Sequence, residues 1–311
     1  MLGKMIANTF IKPYQSPVFD DPKNYGLDYE AVTFSAKDGV ELSGWLIKGS
    51  TNKVIIQSHF GVQCSRSGYT REGKGFIKGW DEDVRFLRQA KYLNEAGYSV
   101  LMYDMRNHGK SSLGTLPYIS WGKEEAKDVL AAVDFMTNHG TYKDAEIGLL
   151  SICMGQGASV AAFGMENGLK QYENIKCMIS VQPMDYTCFV NAMGLPNFLV
   201  DSTTKSIKKQ TGEDFNELTW RPFVKDITVP TLIIQNMNDS YLNEEFLNEL
   251  YEELNVEKEI LLLDLPKMKN ALQNRMACYN WIGENSEPIL SWFNKYLAAP
   301  KLKSSVPSSQ N

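Results

Sequence analysis

Short apolar runs alternate with helical patterns along most of this chain, and this alternation restricts the folds open to it. Runs of strand length lie at 31–49 (two runs around a Lys-Asp-Gly turn), 53–59, 98–104, 146–151, 177–183, 231–236 and 259–265. Helical patterns lie around 80–96, 123–140, 155–167 and 286–297. Strands separated by helices pair in parallel through right-handed crossovers, so we expect an α/β protein with a mostly parallel central sheet flanked by helices.

The domain organisation follows from the same pattern. No Pro/Gly/Ser-rich linker interrupts residues 30–297, whereas segment 184–226 lacks a strand-like run and contains turn residues, aromatics and basic residues. We expect this segment to be a small, mainly helical lid insertion near the carboxyl ends of the strands. The predicted organisation comprises an N-terminal extension (1–30), a core (31–183 and 227–298), the lid (184–226) and a disordered tail (299–311).

Composition and charge exclude several classes of protein. The formal net charge is -5 and no basic run exceeds "KSIKK", so a nucleic-acid surface is not expected. No apolar stretch approaches the ~18 residues of a membrane span, and the N-terminus lacks the pattern of a signal peptide. Five cysteines without paired spacing indicate reduced thiols in a cytoplasmic protein. Nothing in the sequence requires a metal or a cofactor, and the sequence does not predict an oligomeric state.

The stretch Ser151-Ile152-Cys153-Met154-Gly155 follows a predicted strand and precedes a predicted helix. This is the context of a nucleophile elbow, a tight turn with small flanking residues that lifts its central side chain clear of the sheet. The positive end of the helix favours a thiolate at Cys153, and the backbone N–H of Met154 is predicted to face a developing oxyanion. The alternative is that Cys153 is a small buried apolar residue, as most free cysteines are.

Three further motifs surround this stretch in the chain. "QSHFGVQCSRSGY" follows a strand and resembles the loop that donates a second oxyanion N–H in known acyl-transfer enzymes, a role that would fall to either Phe60 or Gly61. "VPTLIIQNMNDSYL" places Asp239 just after a strand, as the acid of a catalytic triad or as an ordinary turn-forming aspartate. "YDMRNHGKSS" is close to Asp-x-Arg-Gly-His-Gly-x-Ser, with Asn107 in the glycine's place. We expect His108 in this last motif to brace the loop rather than act as a base.

These four motifs, in this order, resemble the α/β-hydrolase superfamily over roughly residues 30–297. The resemblance implies the α/β-hydrolase fold and assigns Cys153 as nucleophile, Asp239 as acid, and Met154 with Phe60 or Gly61 as the oxyanion hole. More narrowly, "IGLLSICMGQGA" and "YNWIGENSEPILSWFNKYL" resemble a bacterial subgroup with cysteine at the elbow.

The triad histidine is missing from the expected position. The segment 264–280 holds no histidine, and the three histidines of the chain are His59, His108 and His139. The same segment carries three basic residues, which are Lys267, Lys269 and Arg275. Arg275 aligns best with the histidine position, although each of the three is otherwise an ordinary surface charge. Arginine stays protonated and cannot act as a general base, so a Cys–Arg site acylates on activated substrates and deacylates slowly.

The sequence therefore leaves three functions open. The first is a cysteine-dependent, esterase- or thioesterase-like acyl hydrolase or acyltransferase with a degenerate triad, acting on small esters or thioesters. The second is a catalytically impaired pseudo-hydrolase that binds a small-molecule ligand or a partner. The third is a reactive-thiol sensor, in which Cys64 and Cys278 offer further thiols. Apolar lid residues form either an acyl pocket or the core of the lid: Phe189, Met193, Leu195, Phe198 and Leu199.

Overall fold

The computed structural model describes residues 2–13, 16–61, 63–73, 80–241 and 244–297. The predicted tail at 299–311 lies outside the described residues. Among the described residues, no helix combines the length and the apolar character that a membrane crossing requires.

The described strands form one large sheet and one short hairpin-like pair. The strands are β1 (Tyr29–Ser35), β2 (Glu41–Ile47), β3 (Lys53–Ser58), β4 (Gly68–Tyr69), β5 (Val84–Arg85), β6 (Ser99–Tyr103), β7 (Glu146–Ile152), β8 (Ile175–Val181), β9 (Thr231–Asn236) and β10 (Lys258–Leu263). The eight-stranded sheet has the order β1-β2-β6-β3-β7-β8-β9-β10, and β4 pairs with β5. Strand β2 is antiparallel to both of its neighbours, and every other pair in the large sheet is parallel.

Helices connect the parallel strands and cover both faces of the sheet. The described α-helices are α1 (Leu2–Ile11), α2 (Leu87–Glu95), α3 (Ala126–Asn138), α4 (Met154–Gly164), α5 (Tyr186–Ala192), α6 (Asn197–Thr211), α7 (Glu244–Glu253), α8 (Ala271–Glu284) and α9 (Glu287–Tyr296). Short 3-10 turns span Pro22–Tyr25, Leu169–Gln171 and Arg221–Asp226. This architecture confirms the predicted fold class.

The core lies on both faces of the sheet because side chains alternate along each strand. Ile55 and Leu150 belong to one cluster of buried apolar residues, whereas Ile56 and Leu149 belong to the other. A strand that is buried on both faces is apolar at successive positions, which is the pattern of "KVIIQS" and "EIGLLSI". Strands β3 and β7 pair in parallel at the centre of the sheet, and the predicted site residues follow their carboxyl ends.

The structure corrects one helix and adds three. The helix predicted from residue 80 begins only at Leu87, because Val84–Arg85 pairs with Gly68–Tyr69 instead. Helices α1, α7 and α8 were not predicted. Helix α8 buries polar side chains as well as apolar ones, including Gln273 and Arg275, so its sequence lacks a clear apolar stripe.

Segment 184–226, which was predicted to be a lid, contains α5, α6 and the turn Arg221–Asp226, and the N-terminal helix packs onto it. Gly3 of α1 lies so close to α6 that an added Cβ would approach Ser202 Oγ to 2.2 Å. Phe10 makes edge-to-face contacts with Tyr186 and Phe189 of α5, with ring centroids 6.3 and 5.1 Å away. Helix α1 therefore covers the same end of the molecule as the lid.

Candidate active site

Cys153 lies at a strained turn between β7 and α4. Its φ of 52° and ψ of -107° are an unfavourable backbone conformation for a residue with a side chain. Its N–H is held by the carbonyl of Val181 at 2.9 Å. The turn approaches the end of β3 so closely that a Cβ on Gly155 would lie 2.5 Å from the carbonyl oxygen of Ser58. Position 155 therefore requires glycine, and the local geometry is that of a nucleophile elbow.

The three predicted oxyanion-hole residues lie together beside Cys153. Phe60, Gly61 and Met154 line the same cavity as Cys153, and a Cβ on Gly61 would lie 2.9 Å from Met154 Sδ. Within the described parts of the chain, the backbone N–H groups of Gly61 and Met154 donate no hydrogen bond, whereas the backbone of Phe60 is hydrogen-bonded to the Cys64 thiol. Met154 is buried, and a buried N–H group without an acceptor is costly and rare. The arrangement around Gly61 and Met154 suits a ligand oxygen.

Arg275 of α8 occupies the position where a triad histidine is expected. Its buried guanidinium forms an ion pair with Asp239 through Nη1, donates from Nη2 to the carbonyl of Gln182, and donates from Nε to Tyr279 Oη at 3.0 Å. It also lies within hydrogen-bonding reach of the Cys153 side chain. Burial alone would lower the pKa of Arg275, but Tyr279, Asp239 and Cys153 outweigh burial and raise this pKa, so the group stays charged.

Asp239 lies in the turn after β9 and is almost completely buried. One carboxylate oxygen accepts the N–H of Tyr241 at 3.0 Å, and the other accepts from Arg275 and from Gln235 Nε2 at 3.4 Å. The guanidinium thus stands between the carboxylate and the thiol, as an imidazole does in a triad. It holds a fixed charge there and offers no site for a proton.

The three histidines of the chain do not supply the missing base. His59 Nδ1 donates to the carbonyl of Phe60 at 2.6 Å, and its Nε2 accepts the N–H of Met105 at 3.0 Å. Burial, together with the neighbouring His108, lowers the pKa of His59 to about 3. His108 packs edge-on against His59 with ring centroids 5.1 Å apart, and His139 lies at the carboxyl end of α3. Of the described residues that line the cavity, none is a histidine.

The 104–111 motif braces the loops beside the site. Asp104 accepts hydrogen bonds from the N–H groups of Arg66 and Lys110 at 2.6 and 2.8 Å. Asn107 has a φ of 66°, which explains why glycine is common at this position. Its side chain compensates by donating to the carbonyls of Leu116 and Tyr118 at 3.1 and 3.2 Å. The motif acts structurally, as expected from the sequence.

The other basic candidates and the other cysteines lie away from the site or are inert. Lys267 and Lys269 are exposed and do not line the cavity of Cys153. Burial raises the pKa of Cys188 to about 12, and it raises the pKa of three fully buried thiols even further. These three are Cys64, Cys177 and Cys278. Cys153 is the cysteine that lines the candidate site.

Two site residues were missed in the sequence. Tyr279 lies one helical turn after Arg275, stacks on Phe60 with ring centroids 4.8 Å apart, and is within hydrogen-bonding reach of Cys153. Burial raises its pKa, so the phenol remains a neutral hydrogen-bond donor. Gln182 follows β8 with a φ of 51° and orients Arg275 through its carbonyl. The i, i+4 spacing of Arg275 and Tyr279 was the available signal for Tyr279, whereas nothing in the sequence pointed to Gln182.

The cavity at Cys153 is small and mostly apolar. Its volume is about 90 Å³, and its apolar walls include Ile119, Trp121, Met184, Phe189, Leu272 and Met276. Of the five lid residues proposed for an acyl pocket, Phe189 lines this cavity. Met193 and Phe198 are instead exposed, at 39% and 69%. Neither alternative, acyl pocket or lid core, describes these two side chains.

Comparisons with known proteins agree with the fold. No protein-family model and no curated protein matches the sequence. An esterase of Pyrococcus furiosus is similar with a TM-score of 0.68 and 21% identity, over 93% of this chain and 99% of the esterase. The α/β hydrolase GrgF of a Penicillium species has a TM-score of 0.58 and 19% identity, over 87% and 98% of the two chains. An acylaminoacyl peptidase of Pyrococcus horikoshii has a TM-score of 0.56 and 17% identity, over 87% of this chain and 42% of the peptidase.

Proposed function

We propose that this α/β-hydrolase-fold protein is a cysteine-dependent acyl hydrolase or acyltransferase that acts on small esters or thioesters. The observation that carries the proposal is the buried guanidinium of Arg275 between Cys153 and Asp239. A positive charge beside the thiol favours the thiolate, which is the nucleophilic form of cysteine. Asp239 and the carbonyl of Gln182 orient that charge.

In the acylation step, the sulfur of Cys153 adds to the acyl carbonyl carbon and the carbonyl electrons move onto oxygen. The N–H of Met154 and that of Phe60 or Gly61 stabilise the resulting oxyanion. When the tetrahedral intermediate collapses, the bond to the leaving group breaks and an S-acyl enzyme remains. A thiolate leaves without first taking up a proton, so a thioester is the substrate that suits a site whose cation is not an acid at neutral pH.

The deacylation step is where the missing histidine matters. Water attacks a thioester efficiently only when a base removes its proton, and a well-placed base contributes ~10²–10⁴ in rate. Arg275 cannot perform this role, and the phenol of Tyr279 has a raised pKa and is a donor instead. We therefore expect slow hydrolysis, and faster transfer to an acceptor thiol that ionises on its own. The similarity to an esterase supports acyl chemistry on this fold.

A burst experiment tests the proposal. The protein is mixed with p-nitrophenyl acetate or with an acyl thioester, and product release is followed alongside the intact protein mass. We expect one acyl group per chain, bound at Cys153, followed by slow turnover. Cys153→Ala should abolish the burst, whereas Cys188→Ala, which removes a half-buried thiol outside the cavity, should retain it. A burst that persists in Cys153→Ala would refute the cysteine mechanism.

The absent base favours two alternatives: the fold binds a ligand or partner without turnover, or it uses Cys153 as a sensor of electrophiles. Iodoacetamide labelling separates these readings. Selective alkylation of Cys153 without any acyl burst would support the sensor. If Cys153 is alkylated no faster than Cys177 or Cys188 and no burst is seen, ligand binding is the one function that remains.

A further inference from the structure

Two cavities meet at one side chain, Trp121. The cavity of about 90 Å³ at Cys153 has Trp121 in its wall. A second cleft of about 430 Å³, lined by the end of α4 and by residues 217–223, has the same indole in its wall. Trp121 therefore separates the nucleophile from a much larger apolar space.

The small cavity limits what Cys153 can accept. A cavity of ~150 Å³ holds one benzene molecule, so a space of about 90 Å³ holds a smaller group. This corresponds to an acyl chain of roughly two to four carbons. The walls are apolar apart from a few groups such as Thr9, Cys153 and Arg275, so a charged acyl group would lose its hydration without finding enough partners.

The indole is held firmly in this position. Trp121 has a φ of 57° and Gly122 a φ of 113°, and a Cβ on Gly122 would lie 2.7 Å from the carbonyl carbon of Gly157. The buried carboxylate of Glu125 accepts hydrogen bonds from the N–H groups of Ser120 and Gly122, both at 3.0 Å. The Trp121 ring also contacts two lid rings, Tyr186 and Phe189, with centroids 5.7 and 5.1 Å away. Because its backbone and its ring are both held in place, the Trp121 indole is not easily displaced by a longer acyl chain.

From this geometry we propose that the site selects short, uncharged acyl groups, and that Trp121 is the specificity-determining residue that closes off the larger cleft. The proposal rests on the acyl chemistry proposed above for Cys153. Removal of the indole joins the two spaces and gives a long chain a path into the cleft of about 430 Å³.

A chain-length series tests the proposal. Acyl thioesters from acetyl to octanoyl are mixed with the protein, and the rate of Cys153 acylation is measured from the intact mass. In the wild type we expect octanoyl to react at least ~10-fold more slowly than butyryl, in line with the discrimination that one methylene brings in a tight pocket. In Trp121→Ala the ratio of the octanoyl rate to the acetyl rate should rise at least ~10-fold. Phe223→Ala, which alters the larger cleft alone, should keep the wild-type profile.

A second series of reagents keeps this test independent of the acyl chemistry. N-alkyl iodoacetamides, from methyl to octyl, alkylate Cys153 without an oxyanion hole and should show the same cut-off in length. If Trp121→Ala does not fold, Trp121→Leu replaces it. If no thioester acylates Cys153 but alkylation keeps the length cut-off, the proposed function is refuted, whereas the role of Trp121 in limiting chain length is supported. Rates independent of chain length, or a Trp121 variant with the wild-type profile, would overturn the inference.

Discussion

Asp239→Asn tests whether Arg275 acts as a fixed positive charge at the site or takes up and releases a proton, as a triad histidine does. In a triad built on histidine, the corresponding change leaves the imidazole in the wrong tautomer and lowers the rate by about 10⁴. Arginine has no such tautomer to lose. With Asp239 neutralised, Cys153 and Tyr279 remain as the ionisable partners of the guanidinium. We therefore expect Cys153 to be alkylated faster in Asp239→Asn, which is the opposite of the triad result.

The size of this effect follows from the burial of the pair. The side chains of Arg275 and Asp239 are 4% and 0% exposed, so water screens them little. Two anions on opposite sides of one guanidinium are about 6 Å apart, and at an effective dielectric of ~20 their repulsion is about 3 kcal/mol. A free-energy change of about 3 kcal/mol corresponds to a factor of about 100 in an equilibrium, and we expect a ten- to hundredfold gain in alkylation rate because Arg275 loses some of its orientation. Breaking a buried ion pair also lowers the free energy of unfolding by about 3–5 kcal/mol.

The assay is the second-order rate constant of iodoacetamide at Cys153, measured at pH 7 by peptide mass spectrometry. Near-ultraviolet circular dichroism confirms that the variant is folded at the assay temperature. The control is the double variant Asp239→Asn, Arg275→Gln, which lacks the guanidinium and should lose the gain. Slower alkylation in a folded Asp239→Asn would refute the reasoning, because it would mean that the carboxylate assists ionisation of the thiol.

Three further predictions concern other groups of the site and its support. Arg275→His introduces a base between Cys153 and Asp239, and deacylation after the burst should accelerate by ~10²–10⁴; an unchanged steady state would contradict it. Tyr279→Phe removes a donor near the thiolate and should slow alkylation of Cys153 by about tenfold with Arg275 retained, given ~1.5–3 kcal/mol for a hydrogen bond to a charged group. Because burial lowers the pKa of His59 to about 3, its neutral form is favoured in the fold, and stability is lost as pH falls below ~6.5. In urea unfolding, the contribution of His59 to the free energy of unfolding should be about 1.4 kcal/mol smaller at pH 5.5 than at pH 7.5. In His59→Gln, whose amide can repeat both hydrogen bonds, this pH-dependent contribution should be absent. An identical pH dependence in wild type and variant would contradict the prediction.

The fold could largely be predicted from the sequence because the patterns that indicate its strands and helices are local. The strands at the centre are buried on both faces, so their apolar character is continuous and visible in runs such as "KVIIQS". The elbow was readable for the same reason, since a strand, a small-x-Cys-x-small turn and a helix are adjacent in the chain. The start of α2 was wrong because the pairing of Val84–Arg85 with Gly68–Tyr69 is a contact between distant segments.

The environment of the thiol depended on contacts that no local pattern records. The sequence by itself determined that Cys153 stands at an elbow and that no histidine follows the last strand. The sequence already favoured Arg275 over Lys267 and Lys269. Only the tertiary structure shows its guanidinium buried between Cys153 and Asp239, because α8 buries one face of its polar residues against the carboxyl ends of β8 and β9. Partners such as Gln182 and Asp239 lie 93 and 36 residues from Arg275 in the chain, and they determine its position by direct hydrogen bonds. A buried charge requires such partners from several elements at once, and that requirement is met only when the chain is folded.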